Sequence, residues 1–152
     1  MIDIKKYKHV IWDWNGTLFN DVVLCADIMN NLMIKSNLGT IKVDEYRNVF
    51  TFPVKKYYEL LGHDVGDKNW EKISHGFIKE YEERKFEQNL YPDSQYVLQR
   101  ISDLGLSQSV LSAYSQHTLV ELIDHFDLTK YFIRLVGLDN IYAAGKLENG
   151  IK

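Results

Sequence analysis

A short apolar run that ends in an aspartate constrains this chain more than any other feature of its sequence. Residues 9–12 (HVIW) form a run that favours a strand, and Asp13 follows it directly. An uninterrupted run of this kind is typical of a strand that is covered on both faces, as in parallel sheets. Because ligands of open α/β sheets bind beyond the carboxyl ends of the strands, Asp13 is a candidate functional residue.

Amphipathic patterns follow the Asn15-Gly16 turn and predict an all-helical stretch. Four helices are expected, at residues 22–38, 43–50, 54–61 and 68–88. Asp21 is the predicted N-cap of the first helix, and Gly39 is its predicted stop. The sequence therefore predicts a helical insertion after the first strand.

The second half of the chain has a different order. Its predicted helices cover residues 94–104 and 115–126, and its predicted strands cover residues 109–112 and 131–136. Gly105 is expected to end the first of these helices. Helix, strand, helix and strand in this order are typical of a right-handed parallel α/β unit.

Composition narrows the classes of protein to which the chain can belong. It has 152 residues and a formal net charge of −3 with both signs interspersed, which favours neither nucleic acid nor a membrane as partner. No signal-peptide pattern and no membrane-spanning apolar stretch is present. Cys25, the only cysteine, is expected to be a buried structural thiol. We therefore expect a cytoplasmic protein.

Three polar residues fall at or beyond the carboxyl ends of the predicted strands: Asp13, Ser112 and Lys146. Each one alone has an ordinary explanation, as a turn residue, a loop hydroxyl or a solvated lysine. Together they resemble the motifs of the haloacid dehalogenase superfamily of phosphatases. Its first motif, DxDGT, is matched by residues 13–17 (DWNGT), its second by residues 110–112 (VLS), and its third by the lysine of AAGK. The intervening sequence is similar to the phosphoglycolate-phosphatase-like branch.

This resemblance implies a fold and a reaction. The fold would be α/β, with a haloacid dehalogenase-like Rossmannoid parallel sheet that is incomplete at the C-terminus. Residues 1–19 and 89–152 would form the core, and residues 20–88 would form an α-helical cap over the active site. The reaction would be the magnesium-dependent hydrolysis of a small phosphorylated metabolite.

The matched residues suit such a reaction. A carboxylate at a strand end can attack phosphorus, which makes Asp13 the expected nucleophile. The family pattern implies that the Asp13 carboxylate and the Asn15 main-chain carbonyl bind Mg²⁺. Asn15, Ser112 and Lys146 complete the expected catalytic set, because a reacting phosphate needs donors and cations held in place. The expected phosphate contacts are Gly16, Thr17, Ser112, Ala113 and Lys146.

The sequence departs from the family pattern at position 15. Family phosphatases usually carry an aspartate there, which protonates the leaving oxygen and later activates water. Asn15 can hydrogen-bond but cannot exchange a proton in this way. Losing a general acid–base typically costs about 10²–10⁴-fold in rate. We therefore expect any activity to favour good leaving groups, such as acyl or aryl phosphates.

A second departure concerns the acidic motif that follows the lysine motif in the family. No counterpart occurs before Lys152, and Glu148 lies too near Lys146 to replace it. In the family's strand order the missing strands flank the first one, so the strand before Asp13 would be an exposed edge. We expect a truncated chain, or one that completes its sheet by self-association.

Other interpretations stay open at this point. The chain could be a phosphomutase or dehalogenase of the same superfamily, a regulatory protein that binds phosphate without turnover, or an inactive truncated homologue. The remaining histidines show no metal-ligand or triad pattern and are expected at the surface or partly buried: His63, His75, His117 and His125.

Overall fold

The computed structural model describes residues 6–138 of the chain. These residues form two compact units, one built from the residues up to Asn20 and those from Asn89 onward, and one built from residues 21–88. The first unit contains the sheet and two helices, and the second is all-helical. The predicted parallel α/β fold with a helical insertion is confirmed.

The sheet has three parallel strands within the described part of the chain: β1 (His9–Trp12), β2 (Ser107–Ser115) and β3 (Arg134–Leu138). Their order is β1-β2-β3, so β2 lies in the middle. β1 is where the sequence predicts it. β2 is longer than expected at both ends, and β3 starts three residues later than expected because residues 129–131 form a 3₁₀ turn.

The apolar composition of β1 predicts a strand that is covered on both faces, but the observed strand is not covered in this way. The side chain of Ile11 is 63% exposed, and the other residues of the strand are only half-buried. The physical reason is position: within residues 6–138, β1 is an edge strand that pairs only with β2. An apolar run indicates that burial would stabilise a strand, but it does not indicate which element covers the strand.

A buried glutamine joins β1, β2 and the first helix of this unit. The indole of Trp12 donates from Nε1 to Gln108 Oε1 at 2.9 Å. The amide nitrogen of Gln108 donates to the main-chain oxygen of Leu98 and to the hydroxyl of Ser102, both at 3.0 Å. Because Gln108 is fully buried, these bonds replace the hydrogen bonds to water that its amide loses on folding. They therefore hold β1 and β2 in one register.

The two helices of the first unit are α5 (Ser94–Asp103) and α6 (Gln116–His125). α5 stops as predicted at Gly105, whose φ of 75° is accessible mainly to glycine. α6 begins at Ser115, which accepts a hydrogen bond from the Thr118 amide. Their inward faces supply much of the core of this unit: Leu98, Ile101, Leu119, Leu122 and Ile123.

The helical unit contains α1 (Val22–Lys35), α2 (Val43–Val49), α3 (Val54–Leu60) and α4 (Asp67–Arg84). The four predicted helices are confirmed. Arg84, at the end of α4, binds Asp27 of α1 at 2.7 Å and Glu80 at 3.2 Å. The core between the helices is rich in aromatic rings. Among residues 6–138, no helix combines the length and the apolar character that a membrane span requires.

Asp21 precedes α1 as predicted, but its carboxylate does not cap the helix. Instead, its Oδ2 accepts hydrogen bonds from the Tyr81 hydroxyl at 2.7 Å and from Cys25 Sγ at 3.7 Å. Because Asp21 is only 1% exposed, its carboxylate needs a hydrogen-bond partner within the protein. The Tyr81 hydroxyl is that partner, and it replaces the local cap. Cys25 is half-buried, so its expected burial is only partial. Burial, and then the charge of Asp21, raise the pKa of the Cys25 thiol.

The predicted stop of α1 at Gly39 is wrong by several residues. The helix ends at Lys35, and Asn37 adopts the left-handed conformation with φ of 55°. The amide of Leu38 then bonds back to the Met33 oxygen at 2.8 Å. Asparagine tolerates this conformation better than most side chains, so it can end a helix without glycine.

His63 is more deeply buried than its sequence context predicts. It is 4% exposed and lies beside the ring of Tyr58 in the helical unit. Neither of its ring nitrogens has a hydrogen-bond partner within the described part of the chain. Burial of this kind disfavours the imidazolium, and it lowers the pKa of His63 below the ordinary value.

The free energy of unfolding should therefore fall as the pH is lowered from about 7.5 to about 5.5. The unfolded chain takes up a proton near the ordinary histidine pKa of about 6.5, whereas folded His63 stays neutral, so acid favours unfolding by at most about 1.4 kcal/mol per pH unit. Urea unfolding followed by circular dichroism measures this dependence.

His63→Phe should flatten the pH dependence, because its ring cannot be protonated. His75→Gln is the control, since His75 is exposed on α4. An equal pH dependence in wild type and His63→Phe would show that other groups cause it.

Candidate active site

Asp13 lies directly after β1, at the carboxyl edge of the sheet, and its side chain is exposed. The amide of Trp14 donates to its Oδ1 at 2.8 Å. This bond orients the carboxylate within its own turn, as short acidic residues often do.

The turn after Asp13 is closed by the backbone. The carbonyl oxygen of Trp14 accepts hydrogen bonds from the amides of Thr17, Leu18 and Phe19 at 3.0–3.1 Å. Gly16 has φ of 69°, which explains glycine at this position, and its amide donates to the Phe19 oxygen at 2.9 Å. The Gly16 backbone is an expected phosphate contact, and its amide thus bonds within the turn, as does the amide of Thr17.

Aromatic packing fixes the base of this turn. The rings of Trp14 and Phe19 are stacked with centroids 5.5 Å apart. The ring centroid of Phe19 lies 5.8 Å from that of Phe126, also in the first unit. Trp14 and Phe19 are almost fully buried. The oxygen of Leu18 accepts bonds from the Tyr91 amide and the Ser94 hydroxyl. The turn is therefore held by its neighbours on the first unit rather than left as a solvated loop.

Ser112 is brought to the same turn by the pairing of β1 with β2. Its hydroxyl donates to Asn15 Oδ1 at 3.2 Å and accepts from the Tyr114 amide at 3.0 Å. Ser112 is only 1% exposed. It does not end the strand as predicted, because β2 continues to Ser115. The register with β3 shifts between Leu111 and Ser115, so the ladder is irregular where Ser112 turns toward Asn15.

The remaining predicted site residues are placed as follows. Thr17 is exposed in the turn, and Ala113 is half-buried in β2 beside Ser112. Lys146 and Glu148 lie outside the described residues. The structure thus brings Asp13, Asn15 and Ser112 to one edge of the sheet.

Gln116 and Gly137 are neighbours of this edge that the sequence analysis misses. Gln116 Oε1 accepts the Gly137 amide at 2.6 Å, and its Nε2 donates to the Leu135 oxygen at 3.3 Å. A Cβ on Gly137 would lie 2.7 Å from the Cα of Gln116 and 2.9 Å from the Tyr114 oxygen. The start of α6 and the end of β3 therefore approach closely. The only sequence signal is a glycine near the end of an apolar strand.

Oxygen donors suited to Mg²⁺ occur in the turn. Asp13 presents an exposed carboxylate, and the main-chain carbonyl of Asn15 lies two residues further on. Mg²⁺ is commonly bound through one or two carboxylates, with waters and substrate phosphate as the other ligands, so this donor set fits the ion. Within residues 6–138, no group of three or more acidic, histidine or cysteine side chains forms a metal site.

A family model supports the class of protein that these features suggest. Residues 10–146 match the model described as haloacid dehalogenase-like hydrolase. This match covers most of the chain, so the chain belongs to the haloacid dehalogenase-like hydrolases. A search of curated proteins found no match.

Solved structures share the fold at low sequence identity. A haloacid dehalogenase-like family hydrolase from Streptococcus pneumoniae matches with a TM-score of 0.77 and 12% identity, over 95% of this chain and 67% of its own. A predicted phosphoglycolate phosphatase from Haemophilus somnus matches with a TM-score of 0.71 and 16% identity, over 89% and 65%. Protein tyrosine kinase A from Mycobacterium tuberculosis matches with a TM-score of 0.73 and 18% identity, over 88% and 61%. The chain thus spans about two thirds or less of these proteins.

Gly137→Ala should destabilise the sheet unit by about 1–3 kcal/mol, because the added methyl group overlaps the backbone of Gln116 and Tyr114. Chemical denaturation measures the change. Gly39→Ala is the matched control: its Cβ would meet nothing within 4 Å, and its effect should stay within about 0.5 kcal/mol. Equal effects of the two substitutions would contradict the close approach.

Proposed function

We propose that the chain is the catalytic part of a magnesium-dependent phosphatase that acts on a small phosphomonoester through an aspartyl-phosphate on Asp13. One observation carries the proposal: the exposed Asp13 carboxylate follows a parallel strand directly and shares its edge of the sheet with Asn15 and Ser112. Membership of the haloacid dehalogenase-like hydrolases supports a hydrolytic reaction.

In the first step, a carboxylate oxygen of Asp13 attacks phosphorus while the bond to the leaving oxygen breaks. The leaving oxygen takes the electron pair, and an acyl phosphate forms on Asp13. In the second step, water attacks the same phosphorus, phosphate departs, and the Asp13 carboxylate is restored.

The charge that gathers on the phosphate must be stabilised during both steps. A bound Mg²⁺ would supply most of this stabilisation, held by the Asp13 carboxylate and the Asn15 carbonyl. The exposed hydroxyl of Thr17 is the proposed donor from the turn, since the Thr17 amide bonds to Trp14. Lys146 is proposed to offset the charge of the nucleophile and phosphate together. The helical unit is proposed to act as the cap that selects the substrate.

A second candidate is a phosphate-binding protein without turnover. Asn15 favours it, because its amide cannot act as a general acid and its side-chain oxygen is already bonded to Ser112. Such a protein would bind a phosphate mimic such as beryllium fluoride with Mg²⁺ but would not hydrolyse phosphomonoesters.

Asp13→Asn should abolish magnesium-dependent hydrolysis of p-nitrophenyl phosphate, because an amide cannot form the aspartyl-phosphate. A colorimetric assay of the purified chain measures the rate. The control is Asp127→Asn, which removes an exposed carboxylate whose left-handed backbone suits asparagine. Activity that survives Asp13→Asn would reject this site.

Removing divalent metal should also abolish the hydrolysis, and adding Mg²⁺ should restore it, because oxygen ligands of this kind bind Mg²⁺ reversibly. Assays before and after treatment with EDTA test this. A rate that is unchanged by EDTA would exclude the proposed role of the metal.

A further inference from the structure

A histidine of β1 bridges two serines of β2 on one face of the sheet. His9 Nδ1 lies 2.7 Å from Ser107 Oγ, and His9 Nε2 lies 2.8 Å from Ser109 Oγ. All three residues belong to the first unit, and His9 is paired with Ser107 in the register of the two strands. Both ring nitrogens of His9 are therefore engaged by hydroxyl groups.

The hydrogen bonds assign the donor and the acceptor at each ring nitrogen. Ser107 Oγ donates to the main-chain oxygen of Lys8 at 3.2 Å. Because a serine hydroxyl carries only one proton, Ser107 accepts from His9, so neutral His9 has its proton on Nδ1. Nε2 is then an acceptor, and the hydroxyl of Ser109 donates to it. The donors thus run from Ser109 through His9 and Ser107 to Lys8.

This order of donors is typical of an activated serine. A hydroxyl becomes a nucleophile when an adjacent base takes its proton and a third group orients that base. Ser109 is the hydroxyl, His9 is the base, and Ser107 orients the ring through Nδ1, as the carboxylate does in a Ser-His-Asp triad. A neutral hydroxyl stabilises an imidazolium less than a carboxylate does, so we expect slow turnover.

The face of the sheet that carries these residues is accessible to solvent in the described part of the chain. Successive residues of a strand point to opposite faces, so Ile11 shares the face of His9. Ile11 is 63% exposed and lies opposite Ser109 in the pairing of β1 with β2. The other face carries Gln108, whose amide bonds to α5. A reactant can therefore approach Ser109 from the face that α5 does not cover.

Arg134 of β3 is a cation on the same face. It is the partner of Ser109 in the pairing of β2 with β3, and it is exposed. Neighbouring strands lie about 4.8 Å apart, so this pairing places Arg134 next to Ser109. A guanidinium can stabilise the oxyanion that develops during acyl transfer. The cluster therefore combines a nucleophile, a base, an orienting hydroxyl and a cation.

We propose that Ser109 is the nucleophile of a second reactive site, which cleaves activated esters of short carboxylic acids. His9 is its general base, and Arg134 is its partner for the oxyanion. Ser107 is a positioning residue, because it acts through His9. Ser109 is only 9% exposed, so a short acyl group reaches its hydroxyl more readily than a long one. Asp13 takes no part, so this site is independent of the proposed phosphatase reaction.

The reaction has two balanced steps. Ser109 Oγ attacks the carbonyl carbon of the ester, and its proton passes to His9 Nε2. The bond from carbon to the alcohol oxygen breaks, and this oxygen keeps the electron pair and takes the proton from His9, which leaves an acyl group on Ser109. Water then attacks the acyl carbon and gives a proton to His9. As the carboxylic acid departs, His9 returns that proton to Ser109 Oγ.

Reaction of the full chain with p-nitrophenyl acetate tests the site. The wild type should release p-nitrophenol, and peptide mass spectrometry should locate an acetyl group on Ser109, because slow turnover lets the acyl-enzyme accumulate. His9→Gln should lower the rate by about 10²–10⁴-fold, since glutamine can hydrogen-bond but cannot take the proton. His75→Gln is the matched control: it removes an exposed histidine and should leave the rate unchanged.

Two results would overturn the proposal. One is acetylation of other residues while Ser109 stays unmodified. The other is release of p-nitrophenol by Ser109→Ala at the wild-type rate. Circular dichroism checks that each variant folds, and the location of the acetyl group in the wild type decides the question without any substitution.

The role of Ser107 has a separate test. Ser107→Ala should lower kcat for p-nitrophenyl acetate by about 10-fold or more with little change in KM, because His9 loses the partner that fixes its tautomer. Ser107→Thr keeps the hydroxyl and should retain most of the wild-type kcat. Equal losses of kcat in the two variants would overturn the positioning role.

Discussion

The pairing of β1 with β2 is the interaction on which the candidate site depends. His9 lies opposite Ser107, and Trp12 lies opposite Val110. This register brings Asn15, three residues after Trp12, to Ser112, two residues after Val110. A slip of one residue would turn every side chain of β1 to the other face of the sheet. The buried amide of Gln108 opposes such a slip, because its bond to the Trp12 indole would be lost.

The candidate site combines a firmly held turn with a hydrogen-bonded polar pair. Trp14 and Phe19 pack beneath the turn, and the Trp14 carbonyl closes it with three amides, so Asp13 emerges from a fixed backbone. A backbone that is already fixed lets a catalytic group act without the energetic cost of rearranging during the reaction. Asn15 and Ser112 are hydrogen-bonded to each other in the same region.

The fold alone leaves the reaction open. Solved structures with TM-scores of 0.71–0.77 include a predicted phosphoglycolate phosphatase and a protein tyrosine kinase, at identities of 12–18%. One architecture can host different chemistry because function resides in a few side chains at the strand ends. For this chain the proposed side chains are Asp13, Asn15 and Ser112, and the family match covers the segment that contains all three.

The parallel α/β order, the four helices after β1 and the position of Asp13 at a strand end were predictable from local periodicity and turn chemistry. Gly105 was also predictable, since a helix stop of this kind needs positive φ. Two contacts were not predictable in this way: Asp21 bonds to Tyr81 instead of capping α1, and Ser112 bonds to Asn15. Both contacts join residues at least 60 positions apart. Local patterns contain no information about such partners, because they are set by how the elements pack.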